Sequence, residues 1–120
     1  MSVKVENAKI ERVTLSMADH GCLTFGLVLK GYGWGCTVGG YCLGHGYLGA
    51  DEFTVENGRG LEALMRIMDV IGVERWEDLA GKYCRVKSDG GASIIKIIGN
   101  LINDKWFDIG AFFAEKSKGE

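Results

Sequence analysis

At 120 residues, 47% hydrophobic and 25% charged, with a net charge of −2, the chain is long enough for a single domain over residues 1–120 and too short for two. That balance excludes a disordered chain and a general DNA or RNA binder, which needs a clustered excess of Lys and Arg facing phosphate. No apolar run nears the roughly 20 residues that cross a bilayer, and the charged start MSVKVENAKIERV lacks an apolar signal core, so a cytoplasmic protein without a membrane partner is expected.

From Ala8 to Met17, Ile10, Arg12, Thr14 and Ser16 alternate with Val13, Leu15 and Met17 after an initial irregularity, which predicts a strand with one buried face. The cluster Ala18-Asp19-His20-Gly21 supplies turn chemistry. Cys22 to Lys30 then sets Leu23, Phe25, Leu27 and Leu29 two apart, so the two strands form a hairpin. The segment from Gly31 to Gly49 interleaves glycines with Tyr32, Trp34, Tyr41, Tyr47, two cysteines and His45. A third strand, kinked or bulged, is expected there from Cys36 to Leu43.

After Gly60 the period changes to 3.6. Leu61, Leu64, Met65, Ile67, Met68 and Ile71 share one face of an amphipathic helix that Gly72 ends. Val73 to Leu79 reads as a short helix or turn whose Trp76 and Leu79 cover one end of the core. Tyr83 to Lys87 and Ser93 to Ile98 read as strands joined by the turn Ser88-Asp89-Gly90-Gly91. Asn100 to Asp104 closes the sheet, Asp108 caps a last helical turn reaching Glu115, and Lys116 to Glu120 is a frayed tail. The order of elements predicts an α+β fold: an antiparallel sheet of about five strands with one main helix packed on one face. Its expected core is Leu23, Phe25, Leu27, Leu29, Leu61, Leu64, Met65, Met68 and Ile97.

Gly44-His45-Gly46-Tyr47-Leu48-Gly49 spells G-x-G-x-x-G, with Asp69 downstream. A dinucleotide fold requires that motif between a strand and a helix inside a repeated βαβ sheet, and hairpin-ordered strands precede it here. Cys36, Cys42 and His45 are the residue types zinc prefers. No C-x-x-C knuckle accompanies them, and fourth donors would have to come from Cys22, His20 or Cys84 in other strands, so four reduced thiols and no metal or cofactor are expected. Cys42 with His45 as nucleophile and base lacks an orienting partner that the sequence identifies, and Asp51, Glu52 and Glu56, a candidate acid/base or divalent-metal site, read otherwise as a solvated face.

Binding without chemistry fits the residue types better. Tyr32, Trp34, His45 and Tyr47 offer ring contacts, and Arg59 or Lys105 offers charge against phosphate. Trp34 and Tyr41 have an alternative role as core residues.

The segments ADHGCLTFGLVL, GGYCLG, IGVERWEDLAGKYCRV and IGNLINDKWF resemble a group of small proteins encoded by bacteriophages and prophages. In that group a Gly-Gly-Tyr segment like Gly39 to Tyr41 precedes the helix, and a Trp-Glu-Asp-Leu segment like Trp76 to Leu79 precedes a strand like Tyr83 to Val86. The resemblance spans nearly the whole chain and transfers no functional residue. It implies an accessory factor of the host cytoplasm that counters bacterial immunity. Combined with the ring-rich glycine segment, it leads to the expectation of a homo-oligomer that sequesters a nucleotide-like immune signal without altering it. The alternatives are a protein that inhibits a host defence effector, as anti-CRISPR proteins do, and a small enzyme using Cys42 and His45 or the acidic patch.

Overall fold

A computed structural model describes residues 4–47, 49–55, 58–88 and 95–118. Strand β1 (Lys4–Asp19) turns through His20-Gly21 into β2 (Cys22–Gly31). Both turn residues have positive φ, 53° and 78°, as a type I′ turn requires, and that turn matches the twist of the strands it joins. The chain returns through Tyr32-Gly33 as β3 (Trp34–Gly39), followed by β4 (Gly44–His45) and β5 (Thr54–Val55). Helix α1 (Arg59–Ile71) and a 3-10 turn (Trp76–Leu79) come next, then β6 (Tyr83–Ser88), β7 (Ile97–Gly99), β8 (Trp106–Asp108) and α2 (Ile109–Lys118).

The strands make one antiparallel sheet in the order β5-β4-β2-β1-β6-β7-β8, with β3 also paired to β2, and the sheet curls into a half-barrel. β1 joins its two halves. Residues 4–9 pair with β6 and residues 9–19 with β2, so Lys9 is partnered on both sides. On the β6 side the last bonds are from the Ile10 amide to the Lys82 carbonyl and from the Gly81 amide to the Ile10 carbonyl. Beyond them β1 is paired only to β2 among the described residues, and the molecule measures 46 × 31 × 26 Å.

The expectation of about five strands and one main helix is therefore corrected to eight strands and two helices among the described residues. The additional strands are short: β4 and β5 have two residues each and β8 three, while β7, expected over 93–98, is the three-residue Ile97–Gly99. Elements of that length contain no full repeat of a period-two pattern, and the sheet pairs them only because longer neighbours are already in place. The segment 100–104 is the loop before β8 and not a closing strand. The expected turn at 89–91 and the start of the strand at 93–94 lie outside the described residues. The last helical turn is the ten-residue α2, reaching Lys118 into the expected tail, and Asp108 Oδ1 does accept from the Ala111 amide at 2.8 Å as its N-cap.

The third strand is interrupted. Gly39 pairs with Gly26, which in unbroken register would bring residue 43 opposite Cys22, yet Cys22 pairs with His45. Two extra residues, Tyr41 and Cys42, therefore bulge out. Amide bonds from Gly40 to the Phe25 carbonyl (3.1 Å) and from Leu43 to the Leu23 carbonyl (2.7 Å) hold the flanks. Gly39 and Gly40 supply the φ values of 136° and 85° that the excursion needs. The Tyr41 ring anchors it, stacking on Phe113 of α2 with centroids 4.2 Å apart and planes at 9°, beside Phe25 at 6.2 Å.

α1 presents a different face from the one expected. Gly60, Ala63, Ile67 and Val70 are buried, with Leu64, Met68 and Ile71 packed partly against the core, while Leu61 and Met65 are 60% and 65% exposed. The small residues explain the rotation. A Cβ on Gly60 would stand 2.8 Å from Leu43 Cδ2, so the helix backbone sits closer to the sheet than a larger residue would permit. On β7 the fully buried residue is Ile98 and not Ile97. At the helix end, the amides of Gly72 and Val73 both reach the Met68 carbonyl, and Asn100 Nδ2 donates to the Val70 carbonyl at 3.0 Å. Leu79 is fully buried and Trp76 meets Phe25 edge to face, closing the core end as expected.

Candidate functional site

The six residues expected to share a ligand lie apart. His45 pairs with Cys22 at one end of β2, and Trp34 pairs with Gly31 at the other. Nine residue steps at ~3.3 Å separate those ends by roughly 30 Å. Tyr32 projects fully exposed from the loop beside Trp34, whose indole Nε1 donates to Glu6 at 3.3 Å. Tyr47 packs its ring against Gly21, on the His45 side.

The cations are engaged elsewhere. Arg59 donates to the Phe112 carbonyl at 2.9 Å with its guanidinium 3.9 Å from that ring's centre, tying α1 to α2. Lys105 pairs with Asp69 at 2.9 Å near the other end of α1, about 15 Å away along a helix rising 1.5 Å per residue. Arg66 bridges Glu62, and Arg85 and Lys87 lie over Trp106.

What the structure does bring together centres on β4. On the core-facing side of the β1–β2 hairpin, Met17, Leu23, Leu43, Phe53, Val55 and Leu61 line a cleft of about 180 Å3 between β4, β5 and the start of α1, with His45 of β4 also at its wall. The Phe53 ring lies over Gly46 where a side chain would otherwise stand. The rim stays uncovered: Phe53, Val55 and Leu61 are 56%, 72% and 60% exposed, Met65 lies one turn along from Leu61, and Leu15 two residues before Met17. Leu61 and Met65 belonged to the expected core, and Phe53 and Val55 belong to no periodic pattern. Among the described residues no Asp, Glu, Lys or Arg lines the cleft, and His45 is its one titratable lining residue.

The opposite face of the same strands carries a second grouping. Directly paired residues of neighbouring strands point to the same side, so Cys22 and His45 leave the sheet together, opposite Leu23 and Phe25. The bulge delivers Cys42 to the same spot. The ligating atoms of Cys22, Cys42 and His45 all fall within 4.8 Å of one another, with Cys42 Sγ 3.5 Å from His45 Nε2 and 3.2 Å from the Gly44 carbonyl that it donates to. The sequence expectation grouped Cys36 with Cys42 and His45. Cys36 is instead on β3, near the wholly buried Cys84.

The four cysteines thus divide into two kinds, with no disulfide between them. Burial, and next to it Cys36, pushes the Cys84 thiol up to about 12, and burial raises Cys36 as well. Both are core thiols held protonated at neutral pH. Burial also raises Tyr41, with Asp108 adding to the effect. Among the described residues no helix is long and apolar enough to cross a membrane. Comparison with protein-family models, with curated proteins and with solved structures finds no match to this chain.

Proposed function

We propose that the protein acts by docking onto another protein through the apolar face around the β4–β5 cleft. The observation that carries this is the rim itself: Phe53, Val55 and Leu61, 56%, 72% and 60% exposed, line one apolar cleft, with exposed Met65 one turn along from Leu61 and exposed Leu15 two residues before the lining Met17. Contiguous exposed apolar surface of this kind marks interaction sites, because leaving it in water costs free energy that a partner recovers. The same surface argues against a nucleotide there, since among its described lining residues no Lys or Arg stands ready to compensate the hydration a phosphate would lose. The separation of Tyr32 and Trp34 from His45 and Tyr47 points the same way. An inhibitor of a bacterial defence effector is accordingly preferred to a trap for an immune signal, and the phage resemblance makes such effectors the first partners to try.

Site-specific photo-cross-linking from position 61 in bacterial cells, with position 32 as control, tests it. A discrete adduct from 61 alone, whose purified partner binds the wild type at least ~10-fold more tightly than Leu61→Glu, a difference of about 1.4 kcal/mol, supports the proposal. If the wild type instead sediments as a dimer that Leu61→Glu dissociates, the face is a self-interface and the proposal fails.

A further inference from the structure

We infer that Cys22, Cys42 and His45 form a binding site for one Zn2+ ion. With Zn–S near 2.3 Å and Zn–N near 2.0–2.1 Å, tetrahedral ligands stand about 3.5 Å apart for sulfur and nitrogen and about 3.8 Å for two sulfurs. The observed Cys42 Sγ to His45 Nε2 distance is 3.5 Å, and Cys22 Sγ completes the set with every separation within 4.8 Å. Small side-chain rotations bring such a triangle onto an ion.

The donors are two thiols and one imidazole with no carboxylate among them, which suits zinc and disfavours magnesium or calcium. Cys22 and Cys42 are half-buried and His45 exposed, so an ion can reach them. Three protein ligands leave one tetrahedral position for water. Binding balances as two thiols giving up their protons to solvent while the neutral imidazole donates its lone pair.

The site also gives the bulge a purpose. In unbroken register residue 43 would face Cys22, and Cys42 would point to the other side of the sheet. With the bulge, the ion joins β2 to both ends of the Cys42–His45 segment. It thereby fastens β4, which has only two residues of its own.

The test is anaerobic titration of the reduced full-length protein with Co2+, a spectroscopic stand-in, followed by displacement with Zn2+. The expected result is saturation at one ion per chain, with intense tetrahedral d–d bands and a thiolate-to-cobalt charge-transfer band that Zn2+ abolishes. Cys22→Ser and Cys42→Ser should each weaken this band. His45→Gln, a change at an exposed position whose fold circular dichroism checks, should lower affinity by more than the ~10–100-fold that follows loss of a ligand's hydrogen-bonding partner. Cys36→Ser should bind as the wild type does. Bound Zn2+ should also shield two of the four thiols from alkylation in the native protein and raise its melting temperature. Absence of the charge-transfer band, octahedral cobalt spectra, or equal binding by His45→Gln and wild type would overturn the inference.

Discussion

Truncating Ile67 and Leu61 in parallel tests how α1 is rotated, on which the exposed apolar face depends. Ile67 is fully buried and Leu61 60% exposed, six residues apart and so roughly 120° round the same helix from each other. Each change to Ala removes three carbon groups at ~0.8 kcal/mol apiece, about 2.4 kcal/mol if the side chain is wholly buried. At Ile67 the enclosed void adds to this, giving an expected cost of ~3–4 kcal/mol within the range for such substitutions. At Leu61 only the covered fraction counts and water fills the space, so the cost is ~1 kcal/mol or less. Alanine's better helix propensity relieves both by a few tenths. Urea unfolding followed by far-UV circular dichroism reads the difference, which corresponds to melting temperatures lowered by ~12 °C and by under ~4 °C for a domain of this size. A Leu61→Ala variant as unstable as Ile67→Ala would refute the assigned rotation and remove the ground for a docking face.

Gly46→Ala drives a Cβ into the Phe53 ring and is expected to cost ~1–3 kcal/mol in urea unfolding while displacing that wall of the cleft. Asn100→Ala removes the donor to the Val70 carbonyl and the acceptor for the Ile102 and Asn103 amides; a loss of ~1–3 kcal/mol by the same measurement is expected. The Cys84 thiol sits at about 12 against an ordinary 9.0, so between those values the unfolded chain has lost a proton that the folded chain keeps, and stability falls as pH rises. Cys36 and Tyr41, also raised, act in the same direction. Comparing urea midpoints at neutral pH and at about pH 10.5 should show this loss, and Cys84→Ala should reduce it; an unchanged pH dependence would contradict the assigned cause.

The parts of this fold that depend on neighbouring residues were legible in the sequence. The period-two run Leu23 to Leu29, the His20-Gly21 turn, the helix stop at Gly72 and the Asp108 cap each rest on contacts spanning a few positions. What depends on register between distant segments was not. The bulge at Tyr41 and Cys42 reassigns every later partner of β2 by two positions, and only that shift brings Cys22 to His45. Helix rotation was misjudged for a related reason. Large apolar side chains dominate the periodic signal, yet close packing favoured the small residues Gly60 and Ala63 and left Leu61 and Met65 outside. The ring-and-cation grouping drew on residue types that do occur here, but the 22–31 span of β2 places two of its rings far from the others.

The double pairing of β1 imposes an order on how the chain can assemble. Its outer half meets β2 through a two-residue turn, a closure available in microseconds, whereas residues 4–9 must find residues 83–88 across most of the chain. During synthesis the first half of β1 therefore emerges long before its partner exists. Lys4, Glu6 and Lys9, spaced along that waiting segment, keep it charged and poorly suited to pairing with another copy. The same charges guard the segment against aggregation until β6 arrives.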